Sequence, residues 1–162
     1  MMSLFFYLTL VAALGSGLVA GMFFAFSTFI MKALDQATPT AGISVMQAIN
    51  KTVINPWFLT PFMGTAALGI AAVAYGLWQW HQPASLWLVS GGVLYGVGTF
   101  GVTIVGNVPM NETLAAMDAT HDETEAYWRR YLSRWTFWNH VRTAAAALAN
   151  LAFILATGAT PA

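Results

Sequence analysis

Apolar residues run through this chain in long unbroken stretches rather than in alternation. Residues 1–31, 52–111 and 143–162 contain no Asp, Glu, Lys or Arg. A membrane-spanning helix needs about 20 mostly apolar residues. The first stretch supplies one span, about 4–31. The second is too long for one span and is broken at Trp80-His81-Gln82-Pro83, so it supplies two, about 56–79 and 86–106. The third completes a fourth, about 141–157. Strands crossing a membrane would alternate apolar and polar positions, and these runs do not. The predicted fold is all-α: a four-transmembrane-helix bundle whose last helix extends beyond the membrane. A single membrane domain covers residues 1–162, with polar segments at 32–55 and 107–140. The first run has no basic n-region and is too long for a signal-peptide core, so it reads as a retained span.

Finer patterns add detail to the spans. Ala13, Gly17, Gly21 and Ala25 are spaced by four, as are Gly92 and Gly96, continuing through Thr99, Thr103 and Gly106. Thr60, Gly64, Ala67 and Ala71 make a similar stripe in the second span. Small residues on one face let helix backbones approach closely, so these stripes are expected to be packing faces, and they leave room for a homo-oligomer. Between the first two spans, Ile43–Val53 reads as a short helix with Val45, Met46 and Ile49 on one side, lying on the bundle mouth. Asn55-Pro56 marks the entry to the second span. Asn107-Val108-Pro109 marks the end of the third, with Asn107 and Asn111 as helix caps, Asn111 starting a helix at Glu112. Thr120-x-x-Glu123 or Asp122-x-x-Glu125 is a capping box. From there one long helix is expected to run to Thr157, with Glu125 and Arg129 as an i,i+4 pair.

Charge sharpens the topology. Only 7% of residues are charged, against about a quarter in a soluble domain. Five of the six Lys and Arg fall in the two polar segments, which four spans place on the same side, and the sixth, Arg142, stands at that same end of the last span. The positive-inside rule puts that side in the cytoplasm and both termini outside, in a multi-pass protein of the inner or plasma membrane. Cys is absent, which excludes disulfides and thiolate chemistry. No nucleic-acid partner is expected; membrane lipids and a hydrophobic small molecule are.

The candidate chemistry lies where the last helix enters the membrane. At about 100° per residue, Trp128, Leu132, Trp135, Asn139, Thr143 and Asn150 share one face, and Arg130, Arg134 and Phe137 the other. The amides must face the bundle, because they would be costly in lipid. Arg142 flanks that inward face beside Tyr131 and Trp138, and His140 flanks its other edge. Arg142 can hold an anion or snorkel to headgroups. His140 can accept a proton or sit at headgroup level.

Asn107-Val-Pro-Met-Asn111 followed by Trp135-x-x-x-Asn139-x-x-Arg142 resembles the anthrone oxygenase (DUF1772) family of small four-span membrane proteins. The glycine-rich Gly15-Ser-Gly-Leu-Val-Ala-Gly21, with Ser27 following, is similar to that family too. The resemblance implies an oxygenase that converts an anthrone to an anthraquinone with O2 and without a metal or organic cofactor. Many bacterial relatives have no assigned reaction, so it speaks more for the fold than for the substrate. On that chemistry His140 would be the base. Arg142, Asn139 and Asn111 would hold the enolate oxygen, while Trp135, Trp138 and Tyr131 form an aromatic slot, with Asn107 at the same mouth. The alternative is a non-catalytic module that binds a quinone or lipid, or a partner subunit. A haem or metal centre is disfavoured, since His140 alone of the three histidines is near the bundle. A channel is disfavoured too, because no charge crosses the membrane centre.

Overall fold

The structure, a computed structural model, describes residues 4–159. Among these there are five helices and no strand. Four are long and apolar enough to cross a membrane: α1 (Leu4–Gln36), α3 (Pro56–Trp78), α4 (Ser85–Ala115) and α5 (Asp122–Gly158). The short α2 (Pro39–Thr52) joins the first two. Neighbours in the bundle follow one another around a ring: α1 against α3, α3 against α4, α4 against α5, and α5 back against α1. The fold class matches the sequence expectation.

Backbones meet where glycine permits it. A Cβ on Gly69 would lie 3.4 Å from the Gly92 Cα, so α3 and α4 are in backbone contact there. A Cβ on Gly91 would lie 2.8 Å from the Phe153 ring, which fills the space between α4 and α5. The expected small-residue stripes fare unevenly. Thr60, Gly64, Ala67 and Ala71 all face outward; α3 instead buries Phe62, Thr65, Gly69, Ala72 and Gly76. Gly21 and Gly96 have nothing within 4 Å of where a Cβ would be. In an uncharged span every face is apolar, so spacing reveals a stripe without saying which side it is on.

Three stretches depart from α geometry: Phe26–Ile30 in α1, and Leu94–Gly101 and Thr103–Asn107 in α4, are π-helical. An i→i+5 bond adds a residue to the turn, which is uncommon and often found at functional sites. Here it has a specific effect. Side chains four apart drift around an α-helix, yet Tyr95, Thr99, Thr103 and Asn107 all point into the bundle.

The wider turn also carries α4 past Pro109, where the sequence suggested a break. Proline lacks a backbone N–H, and it sits just after a turn whose bonding is already displaced. Asn111 is therefore inside α4 and caps nothing, and Asn107 makes no cap hydrogen bond. The expected capping box is also not formed. His121 takes the N-cap position of α5 without a side-chain bond, and Thr124 Oγ1 donates to the Asp118 carbonyl at 2.6 Å. Asp118 Oδ1 accepts from Thr120 N and Oγ1, closing the turn locally. Asn55 does cap α3, accepting from Phe58 N at 3.1 Å. Glu125 and Arg129 pair at 2.8 Å as expected.

The short helix α2 covers the charged end of the bundle. Ile43 and Met46 are its buried hydrophobic side chains, whereas Val45 is exposed. Gln47 Nε2 donates to the carbonyls of Leu114 and Met117 at 2.8 and 2.9 Å, satisfying the end of α4 and tying α2 to it. Below it, Trp128, Tyr131 and Trp135 of α5 stack in sequence with centroids 5.4 and 6.0 Å apart.

Candidate functional site

Between α2 and the aromatic stack lies a cavity of about 400 Å³. Phe23, Phe26, Phe58 and Phe62 give it apolar walls, and Trp135, Asn111, Thr103 and Arg142 contribute its deeper polar groups. Lys51, Ile54, Glu112 and Ala115, all exposed, stand at its mouth.

Arg142 is the central feature. Its side chain is 4% exposed, and it has no carboxylate partner among the described residues. Its guanidinium lies 4.1 Å from the Phe23 ring centroid and 5.1 Å from that of Trp135. A cation over aromatic faces gains some stabilisation, on the order of 2 kcal/mol or more when desolvated. That does not replace the lost hydration of a buried ion. Hydrogen bonds cover part of the deficit. Nη2 donates to Asn139 Oδ1 at 2.6 Å and Nη1 to Thr103 Oγ1 at 3.3 Å. Nε has no partner.

Asn139 is in turn held from α1. Its Nδ2 donates to the Phe23 carbonyl at 2.7 Å and to Ser27 Oγ at 2.8 Å. Thr143 Oγ1 gives its one hydrogen to the Asn139 carbonyl, so Ser27, 3.0 Å away, must donate to Thr143. The directions form a closed set from Arg142 through Asn139 and Ser27 to Thr143. Ser27 lies within the first π-helical stretch.

A second set of bonds fixes Trp135 and Asn111. Asn111 Oδ1 accepts from Tyr131 Oη at 2.7 Å and from Trp135 Nε1 at 2.8 Å. With the oxygen taken twice, the amide nitrogen of Asn111 keeps both of its hydrogens for the cavity. Asn107 Nδ2 donates to the Trp135 carbonyl at 3.2 Å and ties α4 to α5 behind the site. Asn50 Nδ2 reaches Tyr131 Oη at 3.5 Å.

Of the eight residues expected at the site, Trp135, Asn111 and Arg142 line the cavity. Asn139 lies directly behind Arg142, and Tyr131 and Asn107 hold the lining residues in place. The structure does not bring His140 or Trp138 to them. His140 is exposed and opens onto a separate pocket, and Trp138 packs against Gly106. Sequence reasoning missed Phe23, Phe58, Phe62 and Thr103, since apolar spans contain many such residues and nothing singles these out. Ser27 was quoted only as following the glycine-rich segment.

A helical bundle of four apolar spans with a buried cation and amides at one end defines a multi-pass membrane protein with an internal polar site. Residues 55–152 match the model of the anthrone oxygenase family, and the chain belongs to that family. The matched region holds Asn111, Trp135, Asn139 and Arg142; Phe23 and Ser27 lie outside it. No curated protein and no solved structure matches the chain.

Proposed function

We propose that the cavity binds a flat, lipophilic phenolic polycycle of the anthrone type and holds it as its enolate while it reacts with dioxygen. One observation carries this reading: a buried guanidinium without a carboxylate, at the wall of an aromatic-lined cavity. An anionic oxygen would complete Arg142 electrostatically, and a dry site gives that attraction its greatest weight. Asn111 would donate to a second oxygen, and the Phe23 and Trp135 rings would flank the ligand.

The reaction balances without a further redox partner. The methylene loses a proton, and the enolate passes one electron to O2. The carbon radical and superoxide combine to a peroxide, which takes up a proton. Loss of water then leaves a carbonyl, so CH2 and O2 become C=O and H2O. The substrate supplies the electrons, and O2 is the co-substrate, so this route calls for no metal or organic cofactor. His140 is remote from the cavity, so the proton passes to Glu112, the carboxylate at the mouth, and on to water. The charged end faces the cytoplasm on this reading.

Oxygen uptake by purified protein given an anthrone tests the proposal. Arg142→Ala should slow it about a hundredfold, the usual scale for losing one group that stabilises a developing anion. His140→Ala should leave it unchanged. Wild-type turnover by Arg142→Ala overturns the reading. Binding of the anthrone without oxygen uptake would leave a quinone- or lipid-binding module instead.

A further inference from the structure

A second, shallower pocket of about 420 Å³ lies between the end of α1 and the first half of α5, with Ser27 in its lining. Its polar lining includes Lys32 and Asp35 from α1 and Ser133, Thr136 and His140 from α5. None of these five side chains makes a hydrogen bond or ion pair within the protein among the described residues. Arg129 lines the pocket as well, but its charge is already matched by Glu125 at 2.8 Å. The groups left over are therefore one ammonium, one carboxylate, two hydroxyls and an imidazole.

The pocket's depth is set by two independent boundaries. On α1 the exposed Phe24 and Phe29 face outward, and Lys32 and Asp35 follow at once. On α5 the exposed Phe137 lies one turn after Ser133 and Arg134. Both helices pass from apolar to charged at the level of the pocket, which is where phospholipid headgroups lie. Basic pockets between spans take anionic headgroups; here Asp35 balances Lys32, so the complementary headgroup carries both charges.

The charge balance narrows the ligand. A purely anionic lipid would leave Asp35 facing a like charge. A choline headgroup offers Asp35 no hydrogen to accept. We infer that this pocket binds a zwitterionic phospholipid with a free ammonium, of the phosphoethanolamine type. Lys32, His140 and the hydroxyls of Ser133 and Thr136 donate to its phosphate, and Asp35 accepts from its ammonium. Such contacts are charge-assisted and stronger than neutral ones. The site is distinct from the cavity that holds Arg142, and the two have no lining residue in common.

Native mass spectrometry of the detergent-purified protein, titrated with phosphatidylethanolamine, phosphatidylcholine and phosphatidylglycerol of matched chains, tests this. Phosphatidylethanolamine should be retained about fivefold better than phosphatidylcholine, the scale of one charge contact at a headgroup. Asp35→Asn should abolish that preference, and Lys32→Ala should weaken retention of both lipids. Both positions are exposed, and a monodisperse elution profile with an unchanged melting temperature verifies that the variants fold. Equal retention of the three lipids, or a preference that survives Asp35→Asn, overturns the inference. Water-soluble O-phosphoethanolamine should not displace the lipid at equal concentration; if it does, the ligand is a free metabolite and the lipid assignment falls. None of these readouts depends on oxygenase activity.

Discussion

Arg142 and Asn139 lie one turn apart on the last helix, and the guanidinium Nη2 donates to the amide Oδ1 at 2.6 Å. The same amide is anchored to Phe23 and Ser27 of the first helix. The position of the buried charge is therefore decided by contact between the two ends of the chain.

Replacing Arg142 by methionine should separate stability from activity. Removing a buried, unpaired ion relieves a desolvation penalty of several kcal/mol. It also orphans Asn139 Oδ1, at a cost of about 1–3 kcal/mol. The expected outcome is a melting temperature at or above that of the wild type, with anthrone-dependent oxygen uptake lost. A variant that unfolds in detergent would mean that the guanidinium is a structural strut.

Asn111 should respond differently to two substitutions. Asn111→Ala leaves Tyr131 Oη and Trp135 Nε1 without their acceptor, at about 1–3 kcal/mol for each orphaned donor. Asn111→Asp keeps that acceptor and strengthens both bonds, but replaces the amide hydrogens by a carboxylate oxygen. Asn111→Asp should therefore melt near the wild type while losing ligand binding. Asn111→Ala should melt lower. Thermal shift with and without an added anthrone reads both effects.

Two glycines provide a control on the packing. At Gly92 a Cβ would lie 3.1 Å from the Gly69 carbonyl carbon, which is backbone and cannot turn away. Gly92→Ala should cost about 1–3 kcal/mol, the range for overpacking. At Gly64 nothing lies within 4 Å, and the residue sits inside α3. Gly64→Ala should be neutral or stabilising by up to about 1 kcal/mol through helix propensity. Denaturation of both variants in the same detergent makes the comparison.

The turn before α5 should loosen in acid. Thr120 donates to Asp118 from its hydroxyl and its backbone N–H, and these bonds hold the carboxyl below its usual range. A carboxyl whose folded-state pKa is depressed contributes stability above its unfolded value, near 3.9. That contribution is lost as pH falls through the folded-state value. Amide exchange at 118–121, corrected for its intrinsic pH dependence, should lose protection in that window. Asp118→Ala should show the loose pattern already at neutral pH.

The sequence made the large features legible because charge is expensive in lipid. Twelve charged residues in two blocks left only one way to place four spans. The inward face of α5 could be read for the same reason, since Asn139 and Arg142 had to avoid lipid. Where a span holds no polar residue, as in α3 from Gly64 to Ala71 apart from Thr65, the same logic has nothing to act on, and the packed face was assigned to the wrong side. The π turns left no mark in composition. Ser27 and Thr103 both lie in them, and beyond the last one α4 runs on through Asn111 instead of ending before it. His140 was drawn in by its chemistry, though its angle on the helix already placed it at the far edge from Arg142.

The anchoring of Asn139 on the first helix bears on how the protein is made. α5 is the least hydrophobic of the four spans, with a mean hydropathy of 1.4 against 2.0 for α1. It also carries Arg142 just inside its membrane entry, and a charged side chain within a span disfavours insertion. The groups of α1 that meet this end of α5, Phe23 against Arg142 and both Phe23 and Ser27 with Asn139, are synthesised before α5 is. During biogenesis α1 must therefore wait in the bilayer until α5 arrives, and the polar site is completed only when these two helices meet.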